Sequence, residues 1–320
     1  MKVVFWGVRG SFPVPGPDTV EFGGNTSCVE LRGSNGQVMV VDAGTGIRVL
    51  GNQLMEEDFG RGRGKARIFL SHTHWDHIQG LPFFRPIYVR GNDFEIFARK
   101  TDEKNLRSIL YTQTEDPYFP VPFENLQADV DFRELSEGAD FTTDGIRIRA
   151  ERLNHPWIAL GYRFDDEQGS VAYISDTAPF RDVLLEKKYY ESVESGCCDK
   201  SSGQFLSSLA QRVEEMVRGV DVLIYDSQFS TEEYNKVPHW GHSTPEEGID
   251  LALKSGARML VLFHHAPERN DESLGRAAEF YRNACEGTGL QLEVAREGLE
   301  IDCGSLMVKR GMGSLNGGLK

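Results

Sequence analysis

Apolar residues along this chain fall into short runs with two different periods. Alternating or continuous runs read as strands at Lys2 to Trp6, Ser27 to Arg32 and Gln37 to Val41, the last two joined by the hairpin-type turn Ser34-Asn35-Gly36. A helix is predicted over Ile47 to Glu57, and the buried-looking strand Ala66 to Leu70 then runs directly into Ser71-His72-Thr73-His74-Trp75-Asp76-His77. Strand patterning returns at Phe94 to Phe97 and across Val130 to Phe164, where Ile146 and Ile148 alternate with charged neighbours after the turn Asp144-Gly145. Beyond it the periods interleave: strand Val171 to Ile174, helix near Phe205 to Arg218, strand Val222 to Tyr225, helix Pro245 to Lys254, strand Met259 to Phe263, helix Leu274 to Cys285. Each helix must bury its apolar stripe against a sheet, so this order predicts two sheets face to face with helices outside.

The interruptions carry information too. Val8 to Asn25 is too rich in Gly and Pro for regular structure and long enough to form a functional rim. Residues 111–125 and 181–204 read as surface insertions within one domain spanning 1–310, and the Gly-rich end 311–320 as a flexible tail.

Composition narrows the options. Hydrophobic residues make up 39% of the 320, with 34 glycines beside them, which is ordinary for a folded protein. A formal charge of −14, from 35 basic and 49 acidic residues, repels phosphate polymers and anionic lipid, so broad nucleic-acid coating is not expected. No stretch approaches the ~20 apolar residues of a membrane span, and Val3 to Val8 is too brief for a signal peptide; a cytoplasmic location is expected. Cys28, Cys197, Cys198, Cys285 and Cys303 form an odd set without metal-ligand spacing, as core or surface thiols of a reducing compartment do.

The eight histidines are not scattered. His72, His74, His77, His155, His239, His242, His264 and His265 all lie at predicted strand ends or in the loops that follow. Residues two apart in extended chain point the same way, so His72 and His74 can share one cation, while Asp76 and His77 face a second point after the chain turns into a helix. Imidazole plus carboxylate is a donor set that Zn²⁺ prefers, and a pair of ions needs a bridging carboxylate and further histidines from elsewhere. A lone histidine is usually an ordinary side chain, and His239 and His265 are read that way. Four ligand-type residues within six positions, 72–77, are not.

These motifs, in order, resemble those of the metallo-β-lactamase superfamily. Val40-Val41-Asp42-Ala43-Gly44 looks like its strand-ending structural Asp, the 71–77 segment like its metal loop, and Asn154-His155-Pro156 like its third histidine motif. Ser175-Asp176-Thr177 is similar to its bridging aspartate and Val261-Leu262-Phe263-His264-His265 to its last ligand motif. The resemblance implies an α/β (α+β) four-layer αββα sandwich with metals at the upper edge of the sheets. It implies one ion on His72, His74 and His155, another on Asp76, His77 and His264, and Asp176 as the bridge. His264 is chosen over its neighbour His265, although a one-residue error would exchange them.

Two further motifs resemble the phosphodiesterase branch of that superfamily, which includes cyclic-nucleotide phosphodiesterases, anti-Pycsar enzymes among them, and tRNA 3′-processing endonucleases. They are Leu223-Ile224-Tyr225-Asp226-Ser227-Gln228-Phe229 and Gly241-His242-Ser243-Thr244. The likeness implies that His242, held by Asp226, protonates the departing oxygen of an ester attacked by a metal-bound hydroxide, with Asp76 also in the catalytic set. A helix cap explains Ser243, Thr244 and Pro245 but not His242. Only about twenty residues separate His155 from Asp176, one hairpin's worth, whereas the tRNA enzymes carry a substrate-gripping arm in this interval. The expectation is therefore hydrolysis of 3′,5′-cyclic nucleotides to nucleoside monophosphates. The alternatives are an RNA 3′-end-processing endonuclease and a thioesterase or lactonase. Two divalent ions are expected, Zn²⁺ first and Mn²⁺ or Fe²⁺ behind it, and the resemblance implies a homodimer.

Overall fold

The computed structural model describes residues 1–101, 104–181, 184–185 and 200–310. Cys197, Cys198, most of the 181–204 insertion and the 311–320 tail lie outside the described residues. Strands β1 (Lys2–Gly7), β2 (Cys28–Arg32), β3 (Val38–Val41), β4 (Lys65–Phe69), β5 (Asp93–Arg99) and β6 (Asp129–Leu135) belong to a first sheet. Strands β7 (Asp140–Thr143), β8 (Ile146–Arg152), β9 (Leu160–Asp166), β10 (Gly169–Ile174), β11 (Val222–Asp226), β12 (Met259–Phe263) and β13 (Gln291–Val294) form a second. The chain then returns to the first sheet as β14 (Leu299–Asp302) and β15 (Met307–Arg310). The strand orders are β15-β14-β1-β2-β3-β4-β5-β6 and β13-β12-β11-β10-β9-β8-β7. In each sheet an antiparallel part joins a parallel run, β3 to β6 in the first and β10 to β13 in the second.

Alternation explains the layers. In β10, Val171 and Tyr173 point into the core between the sheets, while Ala172 and Ile174 point out to the helices; in β12, Met259, Val261 and Phe263 face in and Leu260 and Leu262 face out. Both faces are covered, so these strands are apolar throughout. Helix α1 (Gly46–Met55) covers the first sheet through Ile47, Leu50 and Leu54. Next come the single turn α2 (Trp75–Ile78) and α3 (Leu106–Thr112); α4 (Lys200–Val217), α6 (Pro245–Ser255) and α7 (Asp271–Ala284) cover the second sheet, with the short α5 (Thr231–Tyr234) among them. The result is the four-layer αββα sandwich. No helix among the described residues is long and apolar enough to cross a membrane.

Several elements differ from the sequence reading. Strands β13, β14 and β15 have four residues each, too few for the alternation of polar and apolar residues in the first two to stand out along the chain; β12 and β1 offer the edges that β13 and β14 pair with. Helix α7 begins three residues before Leu274, because the Asn270 side chain caps it by accepting from Ser273 N at 2.9 Å. The 111–125 stretch is partly core rather than wholly surface. Tyr111 and Thr112 close α3, and Phe123 is buried with its ring 4.6 Å from that of Tyr111.

Candidate metal centre

The chemistry-bearing side chains gather at one rim, where the parallel strands of both sheets end. The first sheet contributes the loop after β4 with His72 and His74, then Asp76 and His77 on α2. The second contributes His155 between β8 and β9, Asp176 two residues past β10, Asp226 as the last residue of β11, and His264 directly past β12. Asp42, Asp176 and His264 have φ of 61°, 60° and 61°. This left-handed turn takes the backbone out of the sheet and leaves the side chain in the rim.

The donors form two groups. Ligand-type atoms of His72, His74 and His155 lie within 4.8 Å of one another, and so do those of Asp76, His77, Asp176 and His264. Asp176 links them. Its Oδ1 is 3.2 Å from Nε2 of both His77 and His264, while its Oδ2 faces His72 Nε2 at 3.7 Å and His155 Nε2 at 3.8 Å. Asp76 Oδ2 stands 3.2 Å from His77 Nε2 and 3.4 Å from His264 Nε2. A third overlapping group adds Asp226 and His242 to Asp176 and His264. His265 turns away and gives its Nε2 to the Ala295 carbonyl at 2.8 Å. His239, read as ordinary, belongs to none of these groups.

The two groups differ electrostatically. Burial holds the His72 imidazole well below its ordinary pKa, helped by neighbouring His77 and His74, and burial does the same to His155 and lowers His74. Burial acts against charge on His77 as well, but the carboxylates of Asp176, Asp76 and Asp42 outweigh it and push His77 well above its ordinary value. His264 is raised in the same way, by Asp176, Asp76 and Asp226. Among the described residues, four ring nitrogens, His72 Nε2, His77 Nε2 and both nitrogens of His264, are buried and without a hydrogen-bond partner. Each such group costs about 1–3 kcal/mol unless something takes its lone pair or proton. Converging imidazoles and carboxylates of this kind suit divalent cations of borderline softness.

An outer ring of hydrogen bonds aims these groups. Asp42 is fully buried and accepts from Ser71 N at 2.7 Å, Ser71 Oγ at 2.9 Å, Tyr173 OH at 2.7 Å and His77 Nδ1 at 2.7 Å. His155 Nδ1 donates to the Gly241 carbonyl at 2.8 Å; a Cβ on Gly241 would lie 2.5 Å from that nitrogen, so glycine is required there. Ser11 N donates to Asp76 Oδ2 at 2.8 Å. His242 Nδ1 is 3.0 Å from Asp226 Oδ2 and 3.9 Å from Asp176 Oδ2. The helix cap beside it belongs to Thr244, which accepts from Glu247 N ahead of Pro245 at the start of α6, so His242 has no part in capping. Sequence reasoning misses Ser11, whose contribution is a backbone N–H, and the Tyr173 hydroxyl. The second leaves a trace: an inward-facing tyrosine in an apolar strand needs a partner for its hydroxyl.

Comparison with known proteins agrees with this architecture. Residues 38–192 match the beta-lactamase superfamily domain. A protein named Ribonuclease Z from Natronomonas pharaonis is 26% identical over 325 residues, covering 94% of this chain and 97% of the relative. Among solved structures, the metallo-β-lactamase fold protein YhfI from Bacillus subtilis has a TM-score of 0.62 at 17% identity, covering 93% of this chain and 97% of its own. Human tRNase Z, short form, has a TM-score of 0.57 at 19% identity, covering 98% and 100%.

Proposed function

We propose that this chain, a hydrolase of the metallo-β-lactamase superfamily, cleaves phosphodiester bonds at the rim where its two sheets meet. The superfamily fold implies two divalent ions, and the donor groups fit them. We assign one ion to His72, His74 and His155, the other to Asp76, His77 and His264, with Asp176 between them. Five imidazoles and two carboxylates favour Zn²⁺. When bound, such ions supply positive charge for the phosphoryl oxygens and make water a nucleophile near neutral pH.

The observation that carries the phosphodiesterase reading is the His242–Asp226 pair. An ester oxygen departing from phosphorus needs a proton. With Nδ1 of His242 engaged by Asp226, Nε2 of the doubly protonated ring is the atom that delivers it. Ester or lactone cleavage at an activated carbonyl gives no reason for such a pair. Asp76, held by the Ser11 N–H, keeps a carboxylate oxygen 3.4 Å from His264 Nε2.

For the substrate, we infer a 3′-end-processing cut in RNA. The relatives named Ribonuclease Z support this over the cyclic nucleotides expected from the short interval between His155 and Asp176, because they match nearly end to end. A cavity of about 490 Å³ supports it as well. It is lined by Thr73, Trp75, Ile78, Lys104, Gln113 and Tyr118, among others, so it shares a wall with the metal loop. Trp75 and Tyr118 are 73% and 83% exposed, leaving aromatic faces on which a base flanking the scissile phosphate can stack. One observation favours the cyclic-nucleotide reading: β9 and β10 are joined by a two-residue turn, Glu167-Gln168, with no room for an arm. Incubating zinc-loaded protein with a 3′-extended tRNA precursor, cyclic AMP, cyclic GMP and a lactone decides the matter. Precursor cleavage is the expected result; consumption of cyclic nucleotides alone reverses the substrate inference, and lactone hydrolysis alone removes the phosphodiesterase reading.

A further inference from the structure

Five imidazoles at the centre have a partner for Nδ1: Ser71 Oγ for His72, His155 Nε2 for His74, Asp42 for His77, Gly241 O for His155 and Asp226 for His242. His264 has none. Its Nδ1 is buried and unpartnered, although its Nε2 faces Asp76 and Asp176. An imidazole that offers the Nε2 lone pair to a cation carries its proton on Nδ1, and metal-binding histidines almost always place that N–H on an acceptor.

An acceptor stands beside it. Gln228 is 5% exposed, and its Oε1 is likewise buried without a partner. Both atoms crowd Gly10: a Cβ there would lie 2.5 Å from Gln228 Oε1 and 2.6 Å from His264 Nδ1. The two atoms are therefore no more than about 5 Å apart, within reach of a direct bond after a small approach or of one bridging water. Gly10 is laced in place, since its N–H donates to His265 O at 3.0 Å and His265 N donates to Val8 O at 2.9 Å. Gln228 is fixed from the other side, where its backbone N–H donates to Asp226 Oδ1 at 3.1 Å.

We propose that Gln228 is the positioning residue of His264: its carboxamide oxygen accepts the Nδ1–H, sets the tautomer and ring plane, and leaves Nε2 for the cation. The proposal rests on His264 being a ligand. It assigns a role to the third residue of Asp226-Ser227-Gln228-Phe229, and it accounts for glycine at position 10, where any side chain would wedge the pair apart.

The test uses Gln228→Leu, which removes the acceptor at similar volume, Gln228→Glu, which keeps one, and His264→Ala. Zinc stoichiometry and stepwise affinity come from competition with a chromophoric chelator, and the His264 Nδ1–H from long-range ¹H–¹⁵N spectra of zinc-loaded protein. Q228L is expected to bind one of the two ions 10–100-fold more weakly, to lose the slowly exchanging Nδ1–H signal, and to be restored within a few-fold by Q228E. Wild-type affinity for both ions and an unchanged signal in Q228L, with H264A losing an ion, overturn the positioning role alone. Two ions held at wild-type affinity by H264A overturn the ligand assignment and this proposal with it. Should Q228L not fold, Gln228→Met, unbranched and of similar length, carries the same expectations.

Discussion

Replacing Asp42 with Asn tests whether the donor cage is held by its outer hydrogen bonds. The carboxylate receives four of them, from Ser71 N, Ser71 Oγ, Tyr173 OH and His77 Nδ1, and has no solvent to turn to. Asparagine keeps one oxygen. If its NH₂ takes the place of Oδ1, it meets the Ser71 N–H, a donor that cannot rotate; if it takes the place of Oδ2, it meets His77 Nδ1. There the imidazole can accept only by moving its proton to Nε2, the atom that faces Asp76 and Asp176. Hydrogen bonds to a charged group contribute about 1.5–3 kcal/mol each, so losing or weakening two costs about 3 kcal/mol and lowers Tm by roughly 5 °C or more. Groups that orient metal ligands typically change affinity by about 10–100-fold, and the ion on His77 is the one affected. The measurements are thermal unfolding of metal-free protein by circular dichroism and zinc affinity by chelator competition. A D42N variant that melts with wild type and binds both ions with wild-type affinity would falsify the argument.

Three other expectations follow from the same geometry. His242→Ala retains two ions by elemental analysis but cleaves an RNA phosphodiester about 10²–10⁴-fold more slowly; with a p-nitrophenyl ester, whose leaving group needs no proton, the loss shrinks, and equal losses for both substrates refute the acid role. Metal uptake at the Asp76, His77 and Asp176 group releases protons: His77 and His264 are raised above their ordinary value by the surrounding carboxylates, keep their protons to higher pH than a free imidazole does, and must give them up to a cation, so affinity there rises with pH. Calorimetry in buffers of different ionisation enthalpy counts these protons, and a count of zero contradicts the electrostatics. Trp75→Ala raises KM for an RNA substrate roughly tenfold, from stacking of about 1–3 kcal/mol per base, with little effect on a simple diester that lacks bases; the same KM increase for both places Trp75 outside base binding.

The convergence of the histidines and aspartates is legible in the sequence because metal-ligand chemistry uses few residue types and packs them into short motifs at strand ends. The choice between His264 and His265 is harder, since adjacent residues in a strand point oppositely. The left-handed turn at His264 carries it into the rim, and His265 is left to bond Ala295. The groups that aim the cage are not legible. A backbone N–H such as that of Ser11 has no residue signature, and Gln228 lies 36 positions along the chain from the His264 it is proposed to position. Strands β13 to β15 stay hidden because each has only four residues, too few for the alternation in the first two to stand out. Substrate choice is the least legible part, because under the proposed reading it depends on cavity walls such as Trp75 and Tyr118, which belong to no recognisable substrate motif.

The backbone at Asp42, Asp176 and His264 bears on how this protein can evolve. Each sits in a conformation that costs most L-residues about 1 kcal/mol or more and glycine almost nothing. Glycine at Asp176 or His264 relaxes the main chain while deleting a donor of the centre, whereas at Asp42 the four lost buried hydrogen bonds outweigh the relaxation, so screening variants for heat resistance alone spares the residue that aims the donors and not the donors themselves. Directed evolution of this enzyme therefore needs turnover as a filter in every round, with the codons of Asp176 and His264 kept fixed.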